Sequence, residues 1–340
     1  MTLTAKWMLG MLPLAALAPA LLWPAAAQGT DSTIDWTDVP AKRVDLFFPG
    51  KASWEWVLSP SEHRIGGKKI RQGHRCMDCH ADEEREMGPY LMFVSAAPQK
   101  RPRGRAHLPV DVKAAHDGEN LYLRLKWCRC GEVRAEEPDP DYELKVTVML
   151  DDGAVRSFDR VGCWAGCHED NDDMAITPGE GTVPKYLPES RSRIKRVGGG
   201  FYLRPSDELQ EMRNRGVLLE YWQARVNRDE PADAVHGYVL DRRYESQDPM
   251  VSATAGRSDG AWTVVLSRPL VAGDAWHKPL LAGRTYTLGI AVHEAYATGR
   301  RHLVSFEHTL VLDEGEADLV AVRRERVPSR PHAPSGGPTR

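Results

Sequence analysis

Between residues 104 and 315 the chain alternates between apolar and polar positions in short runs broken by turn residues. Leu121-Tyr122-Leu123-Arg124-Leu125-Lys126-Trp127 alternates strictly, directly after the turn residues Asp117-Gly118-Glu119-Asn120. A period of two is what a strand with one face in the core requires. Residues 145–150, 261–266, 285–292 and 303–306 continue the series, rich in β-branched and aromatic side chains. Many short strands with Gly and Pro turns and few helices between them predict a mainly β fold, an antiparallel β-sandwich. One stretch, 206–225, has helical spacing, with Ser206 as N-cap and Glu208, Leu209 and Met212 along the first turns.

The pattern lapses at both ends. Residues 28–100 are rich in Trp, Gly, Pro and charge, with few periodic apolar runs. They predict an irregular, mostly coil or helical segment wrapped around something other than a core of its own. Pro98, Pro102 and the basic run Lys100, Arg101, Arg103 and Arg105 mark its boundary. Residues 316–340 are charged and then rich in Pro, Ser, Gly and Arg, the composition of a disordered tail. The expected organisation is therefore 1–27, 28–100, 101–315 and 316–340, with no internal repeat.

Residues 1–27 carry the marks of a secretory signal peptide. Lys6 supplies the positive start, Trp7 to Trp23 is almost wholly apolar, and Ala25-Ala26-Ala27 precedes Gln28 as a small-residue cleavage site. An uncleaved anchor is the alternative, since the apolar run is nearly long enough to span a bilayer. Pro13, Pro19 and Pro24 favour cleavage near Ala27. No second apolar span follows, so the mature chain is expected to be soluble and periplasmic. A formal net charge of −3 gives no reason to expect nucleic acid or a strongly anionic membrane as partner.

The chemistry lies in two cysteine pairs, each closed by a histidine. Cys76-Met77-Asp78-Cys79-His80 has the C-x-x-C-H spacing of covalent c-type haem (heme c) attachment. Cys163-Trp164-Ala165-Gly166-Cys167-His168 repeats the idea with one extra residue between the thiols. Two thiols reach the two vinyl groups on one porphyrin edge, and the next residue turns its imidazole onto the iron. Half of a zinc site would bring a second ligand pair at short spacing. A thioredoxin-like pair would not need the trailing histidine. A plain disulfide is the main competitor for Cys163 and Cys167. Export agrees with the haem assignment, because covalent attachment belongs to an oxidising compartment. Cys128 and Cys130, with no histidine after them, suit a local structural role, with metal binding or free thiols as alternatives.

Several runs then resemble a known family. Residues 109–122, Phe158-Asp159-Arg160-Val161-Gly162-Cys163 and Gly299-Arg300-Arg301-His302-Leu303-Val304-Ser305-Phe306 resemble the haem-binding domain shared by ethylbenzene dehydrogenase-related proteins and the dimethylsulfoxide-reductase-type cytochrome c-552 group. The resemblance covers roughly residues 104–315. It implies a β-sandwich with one haem at the end of a barrel-like core, ligated from two distant loops. In b-type members of the family those ligands are a methionine and a lysine. The corresponding positions here fall near Cys163–His168 and His302, where the chain departs from the family with two thiols and two histidines. The resemblance thus implies a covalent, bis-histidine, low-spin haem ligated by His168 and His302, with His293 and His308 as competitors for the second place.

Similar cytochromes carry a further haem c before the sandwich, and Trp54-Glu55-Trp56 with the Cys76–His80 motif looks like that arrangement. His63 is the first choice for its distal ligand. Met87, His74, His107 and His116 are the other options. Trp54, Trp56 and Trp164 suit either haem shielding or core packing. The acidic run Glu169, Asp170, Asp172 and Asp173 suits either a solvated loop or a rim that steers a basic partner.

Two covalent haems with no open iron position suit electron transfer better than catalysis. The expected function is an exported dihaem c-type cytochrome passing electrons between redox partners, a membrane cytochrome or a molybdenum oxidoreductase. Its alternative is a haem subunit of such an enzyme. A haem enzyme or sensor needs an open iron site with acid–base groups beside it. A disulfide-stapled binding module needs both haem motifs to be false.

Overall fold

The computed structural model describes residues 32–50, 54–94, 104–131, 139–169, 185–193, 202–228, 230–274, 276–297 and 301–328. Residues 34–326 form one compact unit. Its frame is a thirteen-stranded sheet. In chain order the strands are β1 Ala41–Phe47, β2 His107–His116, β3 Asn120–Cys128, β4 Leu144–Asp151, β5 Leu219–Val226, β6 Asp233–Val239 and β7 Arg243–Glu245. They continue as β8 Ser252–Ser258, β9 Ala261–Pro269, β10 Tyr286–His293, β11 Leu303–Val304, β12 His308–Leu312 and β13 Leu319–Arg323. The order across the sheet is β7-β6-β5-β4-β10-β11-β1-β2-β3-β9-β8, and β12 and β13 link β10 to β2. All pairs are antiparallel except β12–β13 and β13–β2. The sheet folds back on itself, bringing β5 and β6 against β8 and β9.

Period-two burial explains the fold. In β3 the side chains of Leu121, Leu123, Leu125 and Trp127 point inward, and β9 answers in register with Leu123 opposite Leu266 and Trp127 opposite Trp262. Each such leucine, fully buried, contributes about 1.5–3 kcal/mol relative to exposure. Val146, Val148 and Leu150 of β4, Trp222 and Ala224 of β5, and Leu288 and Ile290 of β10 fill the same interior from the opposite layer.

The outer face of β5, β4 and β10 is covered too. Met149, Tyr221 and Ala291 belong to a second apolar cluster, which includes Phe158, Trp164, Phe306, Cys76 and Cys163. Helices supply its other side: α1 Trp54–Val57, α2 Arg64–Arg71, α3 Met77–His80, α4 Glu84–Val94 and α5 Arg156–Ala165. Gly162, inside α5, has φ +57°. A Cβ there would run into the backbone of Phe306 and Glu307, so only glycine lets α5 lie that close.

Three local expectations need correcting. The segment before residue 100 is helical over 54–94, but Ala41–Phe47 is a strand of the main sheet, paired with β2. Its charged Lys42, Arg43 and Asp45 mask the inward pair Val44 and Leu46. The helix expected over 206–225 stops at Asn214 (α6, Ser206–Asn214), and Leu219–Val226 is β5. Burial on both faces, with Glu220 and Gln223 among the buried side chains, removes the apolar–polar alternation from β5 and hides its period. Residues 319–323, expected in a disordered tail, form β13 between β12 and β2. The expected signal at 1–27 and the tail beyond 328 lie outside the described residues. Among the described residues no helix is long and apolar enough to cross a membrane.

Candidate haem sites

The first cysteine pair sits at the start of α3, with Cys76 buried and Cys79 exposed. The helix is pinned to the sandwich at its N-terminus. Cys76 N–H donates to Arg160 O of α5 at 2.9 Å, and Met77 N–H donates to Glu307 Oε1 at 2.9 Å. Burial pushes the Cys76 thiol well above its ordinary value, with the nearby Glu307 carboxyl adding to the shift. A reactive redox pair needs the opposite shift. Among the described residues no group of three or more His, Cys, Asp or Glu is arranged to hold a bare metal ion, so a zinc site finds no further ligands.

His63 and His80 face each other across this site. Their ring centres are 6.3 Å apart and the planes are 25° from parallel. Two imidazoles on one iron stand about 6 Å apart, from a metal–nitrogen bond of about 2 Å on each side plus roughly 1 Å to each ring centre. Each ring is held by its other nitrogen. His63 Nδ1–H donates to Val57 O at 2.9 Å, and His80 Nδ1–H donates to Glu83 Oε2 at 2.7 Å. With Nδ1 donating, the Nε2 atom of each ring carries the lone pair and would be the one to ligate a metal. Trp56 stacks on His63 at 4.9 Å. Gly66 makes room for the imidazole, since a Cβ there would overlap the His63 ring. The residues present therefore fit a bis-histidine haem c.

The second pair closes α5 on the outer face of the sheet. Cys163 is buried over Gly289 of β10, Cys167 is half-buried, and no disulfide joins the two. Burial pushes the Cys163 thiol up as well. Cys163, Cys167, Trp164 and His302 line one small cavity with Pro49, Met149, Lys185, Ala291 and Val304. It adjoins a larger one of about 450 Å³ that shares Met149, Lys185 and Ala291. Tyr221, Gln223 and Arg225 of β5, Lys145 and Thr147 of β4, and His293 of β10 extend that larger cavity. Its size lies within the usual range for cofactor sites. The site is thus on the outer face of one layer, not at the end of a barrel as the resemblance implies. The backbone of His168 pairs with Tyr186; its side chain, like the acidic run from Asp170, lies outside what is described.

Three of the other candidate histidines are held by carboxylates. His74 pairs with Asp78 at 3.2 Å, His107 with Asp45 at 2.6 Å and His116 with Asp313 at 2.8 Å. Met87 packs at the edge of the second apolar cluster. His293 stacks on His302 at 4.6 Å. Burial pushes His308 down to about 4. Cys128 and Cys130 form a disulfide, the local structural role expected of them. Two residues were not singled out from sequence. Glu83 carries a signal, its three-residue spacing from His80 on a turn of helix. Glu307 carries none, because its partner Met77 lies 230 residues away.

The chain is similar to known proteins along most of its length. The sequence model named Ethylbenzene dehydrogenase matches residues 33–249. Cytochrome c-552 of Stutzerimonas stutzeri is 31% identical over 294 residues, covering 85% of this chain and 91% of that protein. Cytochrome c-551 of Rhodocyclus tenuis is 26% identical over 296 residues, covering 85% of this chain and 99% of that one. Among solved structures, a family 9 carbohydrate-binding module from Caldicellulosiruptor kristjanssonii aligns over 63% of this chain and 67% of its own. Its TM-score of 0.26 and 10% identity carry no functional weight. With more than half of its length matched by the family and a relative aligned almost end to end, the chain belongs to the ethylbenzene dehydrogenase-related cytochrome family.

Proposed function

We propose that this chain is an exported dihaem c-type cytochrome that carries electrons between redox proteins in the periplasm. The observation that carries the proposal is the facing pair His63 and His80, 6.3 Å apart with Nδ1 of each ring already bonded. A bound haem c supplies a one-electron iron couple. Cys76 and Cys79 hold the first group on α3, while Val57 O and Glu83 orient the two imidazoles. Cys163 and Cys167 would hold the second on the sheet, with His168 and His302 as its histidine ligands. Irons ligated by two histidines each would carry electrons and offer no open position to a substrate. The names of its two cytochrome relatives support this assignment.

A second reading follows from the family name, that of an enzyme: the chain serves as the haem subunit of a molybdenum-containing oxidoreductase. In either case the partner is a redox protein, a membrane cytochrome or a molybdenum enzyme.

The test is ligand by ligand. His63→Ala should turn one haem high-spin while it stays covalently attached, and His302→Ala should do the same to the other. An unchanged low-spin spectrum in either variant would remove that histidine from the proposal.

A further inference from the structure

We propose that Trp164 is the contact through which the two haem centres exchange electrons; the proposal rests on the dihaem reading above. Trp164 directly follows Cys163, so it is tied to the second site, and it lines the same cavity as Cys167 and His302. Its indole nevertheless belongs to the first site as well. Trp164 packs edge-on to Trp56 at 5.8 Å, and Trp56 lies parallel to the His63 ring at 4.9 Å, 17° apart. On the other flank it packs edge-on to Phe306 at 5.6 Å, and Phe306 lies 6.2 Å from the His80 ring, 23° from parallel. One aromatic ring therefore separates Trp164 from each candidate ligand of the first iron.

The indole is locked in place. It is 5% exposed, and its Nε1–H donates to Pro49 O at 3.0 Å. The sandwich interior holds Trp127, Trp222 and Trp262. Trp164 sits instead in the separate cluster that contains both Cys76 and Cys163.

The step needs no further reactant. One electron leaves the reduced iron of one centre and reduces the oxidised iron of the other. No bond forms or breaks, no proton moves, and Trp164 is itself neither oxidised nor reduced. Its role is to keep the interval filled with close-packed atoms, because a gap too small for water leaves nothing to couple the two sides.

The experiment uses the holo-protein. A soluble flavin semiquinone, generated by a laser flash, reduces the fully oxidised protein, and equilibration between haems is followed at the two α-bands. Trp164→Leu should lose the fast equilibration phase while intact mass still shows two haems and the spectrum stays low-spin. Trp164→Phe, which restores a ring, should recover most of it. Equilibration in Trp164→Leu at the wild-type rate would overturn the proposal. If Trp164→Leu fails to load its second haem, the double variant Trp56→Leu/Phe306→Leu, outside the attachment loop, replaces it. Loss of the fast phase there supports the bridge, and a wild-type rate overturns it. A wild-type protein carrying a single haem would instead sink the dihaem reading, so the two failures are distinguishable.

Discussion

The two candidate haem sites are built in opposite ways. At the first, both thiols and both candidate ligands lie between His63 and His80, on short helices joined by tight loops. Those helices bury few residues of their own, with Gly67 and Ile70 the buried pair of α2. The second is assembled from distant parts: α5, His302 and the outer faces of β4, β5 and β10. Its walls belong to a sheet whose other face is a large apolar interior. A local site depends on its cofactor for order, whereas a site on a sheet inherits order from the fold.

Removing each cysteine pair should expose this contrast most strongly. Cys76→Ser with Cys79→Ser should abolish one covalent haem and raise hydrogen exchange throughout 54–94. Cys163→Ser with Cys167→Ser should also cost one haem yet leave exchange in β4, β5 and β10 nearly unchanged. Equal loosening in both variants would break the comparison.

A finer test uses the glycines that make room at each site. An alanine methyl at Gly66 would overlap His63, and one at Gly289 would lie 2.7 Å from Cys163 Sγ. Overpacking of this kind costs about 1–3 kcal/mol. Gly289→Ala should lower the unfolding free energy by that amount, read as a lower denaturant midpoint. Gly66→Ala should instead appear as a partly high-spin spectrum with little global loss. A full low-spin spectrum in Gly66→Ala would show that the ring is not held against α2.

The last test concerns Glu307, where the first site meets the sandwich. Burial pushes its carboxyl up from 4.5 to about 7, although the Met77 N–H and the Arg75 guanidinium pull the other way. Its Oε2 has no hydrogen-bond partner among the described residues. A carboxyl that binds its proton more tightly when folded costs nothing below pH 4.5, and its penalty grows as pH rises to about 7. Stability should therefore fall across that window, by on the order of 3 kcal/mol at most. Glu307→Gln, which keeps an acceptor for Met77, should flatten that slope. Parallel profiles for variant and wild type would contradict the assignment.

The same contrast governs what is legible in sequence. The Cys76–His80 motif is contiguous, so residue types and spacing alone identify it. His63 is a choice among several histidines until the turn between α1 and α2 brings its ring over Gly66. Strands such as β3 announce themselves because one face is wet. β5, buried on both faces, loses its alternation and imitates a helix, while β1 and β13 are short and carry charges outward. The second site draws its walls from those doubly buried strands, so Met149, Tyr221 and Ala291 look like ordinary core residues. Only the folded sheet shows that they turn away from the sandwich interior toward Cys163.

The most direct test of the two-centre account is the intact mass of the exported protein, read beside its reduced absorption spectrum. The account predicts a gain of two covalent haems and a sharp low-spin α-band. A gain of one would show that the longer Cys163–Cys167 loop does not attach haem, and would contradict the account of two coupled centres.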